Sequence, residues 1–480
     1  MALSLRSRPI SLVAVAGLVA IAAAGSLSLS TTAHATPISL VRIDQVGYLP
    51  SDAKHAYLMA SGPVGRATWD VVDRAGKVVE RGKVGTSNRG PWNANYPDVY
   101  DITFSGLTKL GTYHLHVHGD VTAASPSFEV ETASDLFGQL LKDGVNFFQV
   151  QRDGSDVIKG DLNRQPAHLA DAHATVYEHP LFVDASQSDS TLPGVDLKKV
   201  TTGPTKVDAE GGWYDAADFL KFTHTNAYGD VLLYASQRAL GSSAPATLKT
   251  EAQFGETFLD KMWSMSTKTL YSQVGIGGDN GDDTHDPTFL GDHDLWRLPQ
   301  ADTTDTDPLD RYAATSRPVF RAAPPGQPIS PNLVGRVSAA FALAAQVDAK
   351  TDRARAEYEY TEATSLYAMA DTASPPDPLV TADPFGFYPE SSWHDDMELG
   401  AAEIALASQS LGHNAKPYLS DGARWAKAYI AGDAVDNPDT FNLYDVSALA
   451  HTDLVNALAK AGNPKVAVTK AGLVKDVKRQ

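Results

Sequence analysis

The sequence predicts an all-β domain of the sandwich type followed by an all-α domain. Up to about Val130, short runs with alternating apolar and polar residues are separated by turn residues, a pattern typical of strands. After Ser134 the apolar residues recur at helical spacing instead. A chain of 480 residues, 43% of them hydrophobic, is long enough to bury two separate cores.

The expected β-domain covers residues 36–131, and the domain boundary is expected near residues 131–134. Asp73-Arg74-Ala75-Gly76-Lys77 lies between two valine-rich runs and indicates a hairpin turn. Strands at this spacing favour a β-sandwich. The predicted strands lie near residues 40–43, 56–59, 69–72, 99–104 and 113–117.

The expected helical domain covers residues 134–480. Its first helix has Ser134 as a cap and one apolar stripe, formed by Phe137, Leu140, Leu141, Val145 and Phe148. Residues 154–212 and 272–331 are rich in Gly, Pro and Asp and are expected to be long irregular segments that form a site. Further helices are predicted near residues 222–240, 249–264, 332–348, 352–370, 396–411, 418–431 and 445–461.

The N-terminal residues 1–35 have the pattern of a secretory signal. Arg6 and Arg8 precede an apolar run over residues 10–24, and Ala33-His34-Ala35 fits a cleavage site. The alternative is an uncleaved membrane anchor, which needs roughly 20 apolar residues. We expect cleavage after Ala35 and a secreted, extracellular protein without membrane contact.

Composition restricts the possible partners. The net charge of -18 argues against binding nucleic acid and fits a neutral partner such as a polysaccharide. The chain has no cysteine, which excludes disulfides, thiolate catalysis and cysteine-ligated metals. We expect a monomer.

The stretch from Glu210 to Asp218 has the strongest chemical signal. Asp215 and Asp218, at i and i+3, would lie on one side of a helical turn, where they could act on one water as a general base. The alternative is that they cap a helix. Trp213 and Tyr214 are expected either to bind a sugar by stacking or to pack in the core.

A second loop combines charge with an aromatic residue. Asp292, His293 and Trp296 lie within the nine residues from Gly291 to Pro299. The C-H faces of sugars stack on indole rings, so Trp296 is a candidate substrate contact. The alternative is that Trp296 packs this loop onto the helices.

Residues 211–218 resemble the Gly-Gly-Trp-(Tyr/His/Phe)-Asp-Ala-Gly-Asp signature of glycoside hydrolase family 9, with Ala217 in place of a glycine. Residues 292–299 resemble that family's Asp-His-x-x-Trp-x-x-Pro segment, and residues 41–50 resemble the start of its immunoglobulin-like module. The resemblance implies an (α/α)6 toroid and inverting cleavage of β-1,4-glucan. Asp218 would be the general base, Asp215 would hold the water, and Trp213, Tyr214, His293 and Trp296 would bind substrate.

The family's general acid is a glutamate near the C-terminal end of the catalytic domain. The last glutamate of this chain is Glu403, and about eight helices are predicted where the family has twelve. The resemblance therefore implies an incomplete toroid that has the base but not the acid. Two alternatives are a non-catalytic secreted carbohydrate-binding protein on the same scaffold and a different (α/α)6 hydrolase acting on glucosamine-type sugars.

No cofactor is expected. An acidic segment could hold a structural calcium ion, as in some members of the family, although a solvated loop is the alternative and the spacing is not that of an EF-hand. His285, His293 and His394 do not form a zinc set. The acidic residues concerned are Asp279, Asp282, Asp283 and Asp286, close to Asp292 and Asp294.

Overall fold

The computed structural model describes residues 37–160, 162–180, 182, 197–278, 287–433 and 442–480. The chain divides into two compact units between Gln139 and Leu140. The expected signal at residues 1–35 and the four aspartates of the expected calcium segment lie outside the described residues. Within the described residues, no helix is both long and apolar enough to cross a membrane.

The first unit is a β-sandwich of two antiparallel sheets. One sheet has the strand order β1-β2-β5, and the other has the order β4-β3-β6-β7 with β8 also paired to β6. Inward-facing aromatic residues, including Tyr48, Phe104 and Phe128, contact each other edge to face in the core. The strands are β1 (Ser39–Ile43), β2 (His55–Ala60), β3 (Ala67–Asp73), β4 (Val78–Lys83), β5 (Asp98–Thr103), β6 (Gly111–Gly119), β7 (Ala123–Ala124) and β8 (Phe128–Val130).

The second unit is built of helical hairpins. Helices α2, α4, α6 and α8 pack side by side, and α3, α5, α7 and α9 each pack against the helix that precedes them. A sandwich followed by a helical domain confirms the predicted fold class. The helices are α1 (Ala133–Val150), α2 (Thr223–Leu240), α3 (Ala246–Met262), α4 (Pro331–Asp348), α5 (Arg353–Tyr367), α6 (His394–Leu411), α7 (Lys416–Ala431), α8 (Ser447–Lys460) and α9 (Lys470–Arg479).

Helices α4 and α6 approach each other closely through two glycines. A Cβ atom on Gly335 would overlap the backbone of Asp396, and one on Gly400 would lie 2.8 Å from the carbonyl oxygen of Gly335. Any larger residue would push the helices apart, because no flexible side chain is there to move away. The alanine-rich, fully buried faces of α4 and α6 depend on this contact.

One arginine joins three of these helices near their N-terminal ends. Arg336 of α4 is fully buried, and its Nε donates to Asp396 of α6 at 2.8 Å. Its Nη1 lies 2.7 Å from Nε2 of His224 on α2, and its Nη2 donates to Glu390 at 2.8 Å. At the other end of α2, Arg238 donates to Glu403 of α6 and Asp453 of α8. Helices α2, α4 and α6 therefore run parallel, with their N-termini at one end.

The segments predicted to be irregular contain strands. In residues 154–212 and 272–331 the structure has β9, β10, β13 and β14, so this prediction is wrong in part. Every residue of β13 is buried, which removes the alternating pattern that identifies a strand in a sequence. With β11, these strands form a sheet in the order β10-β9-β14-β13-β11, and β12 also pairs with β13. The ranges are β9 (Ala174–Tyr177), β10 (Lys206–Val207), β11 (Lys221–Phe222), β12 (Trp263–Ser264), β13 (Thr269–Val274) and β14 (Pro318–Arg321).

A cluster of buried carboxyl groups lies between α2, α3 and α5. Asp230 is fully buried, and neither of its carboxyl oxygens has a hydrogen-bond partner. Burial raises the pKa of Asp230 well above its ordinary value, and the nearby carboxylates of Glu256 and Glu359 raise it further. Burial therefore favours the protonated form of Asp230 in the folded protein.

We expect Asp230→Asn to flatten the pH dependence of stability. The unfolded aspartate has a pKa near about 3.9, so between that pH and the higher pKa of the folded state, unfolding of the native chain releases the proton of Asp230. The native chain therefore loses stability as the pH rises, by up to about 1.4 kcal/mol per pH unit from this residue. Asparagine has no proton to release. As the pH rises, the free energy of unfolding of the variant should therefore increase relative to that of the native chain, by up to about 1.4 kcal/mol per pH unit. Denaturant unfolding at pH 5, 6.5 and 8 measures the difference.

The control is Asp421→Asn, which changes a half-buried aspartate that pairs with Arg424. Its free energy of unfolding should parallel that of the native chain across the same pH values. A difference between Asp230→Asn and the native chain that stays constant with pH would show that Asp230 is ionised in the folded state.

Candidate active site

The two candidate catalytic aspartates lie on a loop that is fixed at both ends. Residues 215–218 form a series of bends, not the helical turn that was expected. Just before the loop, Tyr214 N donates to Gln151 O at 2.9 Å. The two ends of the loop are joined by Asp215 N, which donates to Leu220 O at 2.9 Å. Helix α2 begins after the loop with Phe222 as its N-cap and without a side-chain cap, so the aspartates do not cap it.

Asp215 is mostly buried and is held by a tyrosine from a distant segment. The hydroxyl of Tyr388, which precedes α6, donates to Asp215 Oδ2. Burial raises the pKa of Asp215 to about 6, and the nearby charge of Asp218 adds to this rise. Hydrogen bonds from Tyr388 and Thr225 act in the opposite direction. Asp215 therefore changes its charge in the mildly acidic range.

Asp218 meets the second candidate loop through His293. His293 Nε2 lies 3.3 Å from Asp218 Oδ2, and the ring of His293 packs against Phe387 with 4.9 Å between centroids. The loop reaches this position because His293 N donates to Gly277 O at 3.0 Å. A Cβ on Gly291 would overlap the backbone of Gly277, so a glycine is needed for this approach.

The structure places Trp213 and Tyr214 beneath the loop. Their exposed fractions are 3% and 4%. Trp213 Nε1 donates to Glu251 Oε1 at 2.9 Å, and Tyr214 OH donates to Asp153 Oδ1 at 2.7 Å. Both side chains also help to line an open cavity of about 220 Å³ beside Asp215. Direct contact with a sugar remains a prediction for these two residues.

Trp296 has the opposite environment. Its side chain is 91% exposed. It follows the short helical turn Asp292–Asp294 that contains His293. At this exposure the indole does not pack the loop onto the helices, and its faces are open to a ligand.

A buried ionic cluster supports the loop of Asp215 and Asp218 from below. Lys221 Nζ donates to Asp153 at 2.6 Å and to Asp171 at 3.0 Å. Arg317 donates to the same two carboxylates at 3.3 and 3.0 Å, and also to the backbone oxygen of Phe219. The side chains of Lys221, Arg317 and Asp153 are completely buried. Phe219 is part of the loop, so this cluster fixes the loop backbone.

Histidine extends the cluster to the loop of Trp296. His168 lies between two carboxylates, with Nδ1 3.1 Å from Asp153 and Nε2 2.8 Å from Asp302. Burial and Arg317 lower the pKa of His168, but the two carboxylates outweigh them and raise it. Burial likewise raises the pKa of Asp153, but Lys221 and His168 outweigh burial and hold it well below its ordinary value. Asp153 therefore stays charged.

No metal centre is preformed in the described part of the chain, where no group of three or more His, Asp or Glu side chains is arranged to hold an ion. His394 pairs with a carboxylate instead, since its Nδ1 is 2.7 Å from Asp433 Oδ2. Of the acidic residues near the expected calcium segment, Asp292 accepts a hydrogen bond from Phe219 N, and Asp294 accepts one from Gly291 N.

Three residues at this site have no clear signal in the sequence. Tyr388 lies 173 positions from Asp215, and only the fold brings them together. Lys221 and Arg317 are single cations in the sequence, for which a solvent-exposed side chain is the usual interpretation. In the structure Lys221 lies in β11 and Arg317 directly precedes β14, and because both strands are buried, each cation requires a buried carboxylate partner.

Comparisons with known families agree with this architecture. The model described as glycosyl hydrolase family 9 matches residues 137–474, and the model described as cellulase N-terminal ig-like domain matches residues 37–122. The first match covers more than half of the chain. The chain therefore belongs to glycosyl hydrolase family 9, as the two loop motifs predicted.

Individual relatives are similar over parts of their length. Endoglucanase C of Cellulomonas fimi is 32% identical over 212 residues, which are 42% of this chain and 17% of that protein. Endoglucanase 15 of Arabidopsis thaliana is 28% identical over 229 residues, 45% of this chain and 41% of that protein. The chain thus spans less than half of each. A metagenome-derived family 9 endoglucanase structure aligns with a TM-score of 0.54 at 20% identity, covering 92% of this chain and 71% of that one, which shows a shared fold.

We expect Tyr388→Phe to raise the pKa of Asp215 further above 6. The tyrosine hydroxyl stabilises the charged carboxylate, and a hydrogen bond to a charged group contributes about 1.5–3 kcal/mol, which corresponds to roughly 1–2 pH units. Carbon-13 NMR of the aspartate carboxyl groups, titrated between pH 4 and 8, measures the shift.

Tyr228→Phe is the matched control, because Tyr228 lines the same cavity from α2. It should leave the titration of Asp215 unchanged. An equal shift in both variants would mean that the hydroxyl of Tyr388 does not bond to Asp215 in solution.

Proposed function

We propose that this protein is a glycoside hydrolase that cleaves β-1,4-linked glucan with inversion at the anomeric carbon. The observation that carries this proposal is the Asp215 and Asp218 pair, on a rigid loop that opens on one side to a cavity. Family membership supports the reaction class, and the names of the two endoglucanase relatives support the substrate class.

In this proposal Asp218 is the general base. Its carboxylate lies beside His293, whose ring is partly open to solvent. A base in an inverting hydrolase must be ionised and must reach one water molecule. Asp215, held by Tyr388, accepts the second hydrogen of that water and so orients its lone pair towards the sugar.

Substrate binding is assigned to the residues around this pair. Trp296 offers an open indole face to a pyranose ring, and His293 offers a polar contact next to the base. We assign Trp213 and Tyr214 to the wall of the cavity beside Asp215, where they shape the binding site from beneath.

The general acid is not assigned to any residue of this chain. An inverting enzyme needs a carboxylic acid roughly 6.5–9.5 Å from the base to protonate the leaving oxygen. Glu390, a buried glutamate near Tyr388, is paired with Arg336 and His224; these outweigh burial and lower its pKa, so it is not a proton donor. We assign the base half of the reaction to Asp218 with Asp215 and leave the acid half without a residue.

Secretion as a monomer completes the proposal. Its support is the signal pattern over residues 1–35 and the net charge of -18, which suits a neutral polysaccharide in an aqueous medium. No cofactor is assigned to the reaction.

We expect the chain to hydrolyse 2,4-dinitrophenyl β-cellobioside but to act only very slowly on carboxymethyl cellulose. The dinitrophenolate leaves without protonation, so its release requires the base and the bound water only. Asp218→Asn should reduce the rate on the aryl glycoside by about 10²- to 10⁴-fold. Dinitrophenolate absorbance measures the rate, and proton NMR of the first product should show the α-anomer.

Asp421→Asn serves as the control and should retain the native rate. Rapid turnover of carboxymethyl cellulose would contradict the absence of an acid. If the chain binds cellulose tightly but releases no dinitrophenolate from the aryl glycoside, the result supports the alternative, a carbohydrate-binding protein on the same scaffold.

A further inference from the structure

Strand β6 of the sandwich carries three histidines on one face. His114, His116 and His118 occupy alternate positions, while Leu115 and Val117 between them point into the core. The ring centroids of successive histidines are 6.4 and 6.3 Å apart. Imidazole is a preferred ligand of divalent transition metals, and strand geometry places residues i and i+2 within reach of one ion.

A carboxylate from the neighbouring strand lies beside two of these histidines. Asp70 of β3 is the register partner of His116, and its Oδ2 lies 3.5 Å from His118 Nε2. This separation is longer than most hydrogen bonds of this type. It is close to the roughly 3.3–3.4 Å between two ligand atoms of a tetrahedral site with bonds of about 2.0–2.1 Å.

We propose that His116, His118 and Asp70 form a binding site for a divalent transition metal ion of the class that prefers imidazole, with Cu²⁺ bound most strongly and Zn²⁺ less so. The order follows from the general affinities of nitrogen and oxygen sites for these ions. The proposal concerns the sandwich alone and is independent of the glycosidase function.

A small side-chain movement completes the site, which is not preformed in the described residues. Two imidazoles have centroids roughly 5.2 Å apart on one tetrahedral ion and roughly 4.5 Å apart at neighbouring positions of a square-planar Cu²⁺ ion, so the rings of His116 and His118 must close by roughly 1–2 Å. His118 is 51% exposed and free to rotate. Opposite His116 on β7 is Ala124, which leaves space beside the ring. Water fills the fourth position.

One cation competes with the metal. Arg81 Nε lies 3.9 Å from Asp70 Oδ1, but the side chain of Arg81 is 74% exposed. Such a surface pair contributes about 0–1 kcal/mol, so Arg81 can turn into solvent when a metal binds.

The chain provides a matched control within the same row. His114 is on the same strand and the same face, but its register partner on β3 is Val72 and not a carboxylate. The proposed chelate therefore includes His116 and His118 and leaves out His114.

The test is titration of the full chain with Cu²⁺ after removal of metals by EDTA and dialysis. Isothermal calorimetry should show one strongest site per chain, and electron paramagnetic resonance should show hyperfine splitting from two imidazole nitrogens. Loss of a second-shell partner already lowers metal affinity by about 10- to 100-fold, so His116→Gln and His118→Gln should each weaken binding at least about tenfold. His114→Gln should change it by less than about twofold.

Thermal unfolding of each variant verifies that the sandwich is folded, which is expected because the substitutions are on the surface. Equal weakening by His114→Gln and His116→Gln would overturn the assignment of the ligands. Binding that survives in the variant with both His116→Gln and His118→Gln would place the copper elsewhere and overturn the site, as would a native chain that binds no Cu²⁺.

Discussion

The sharing of Asp153 and Asp171 by two buried cations is the interaction on which the candidate active site depends. Lys221 comes from β11, Arg317 directly precedes β14, and Asp153 comes from the segment after α1. Removing one member of such a buried pair typically costs about 3–5 kcal/mol, because the remaining charge has no partner. Arg317 also binds the backbone of the catalytic loop at Phe219, so the loop position and the charge balance are set together.

The candidate site therefore has a rigid support of buried charges beneath the loop and polar side chains that hold the two aspartates above it. Beneath the loop, His168 continues the chain of charges to Asp302, next to the segment that contains Trp296. Above the loop, Tyr388 and His293 each hold one of the two candidate aspartates. Because these partners come from three separate segments, small displacements of one segment are resisted by the other two.

The sequence was sufficient to identify the two site loops and the order of the domains, because local motifs and apolar periodicity carry that information. Asp215, Asp218 and His293 are brought together as the motifs suggested. It did not reveal that Trp213 and Tyr214 are buried, because stacking on a sugar and packing in a core select the same aromatic residues. The fully buried β13 and the partner of Asp215, Tyr388, depend on contacts distant in sequence, which no local pattern reports.

The position of Arg336 has a consequence for how the helical unit opens. Its guanidinium bonds to Asp396 of α6, to Glu390 just before α6 and to His224 of α2 at once, so a displacement of α4 separates it from all three. Freeing α4 leaves the charges of Arg336 and Glu390 buried without each other, which is costly. We expect the first turn of α4 to stay closed until its neighbours α2 and α6 open as well, so that the backbone amides of the three exchange hydrogen with solvent together.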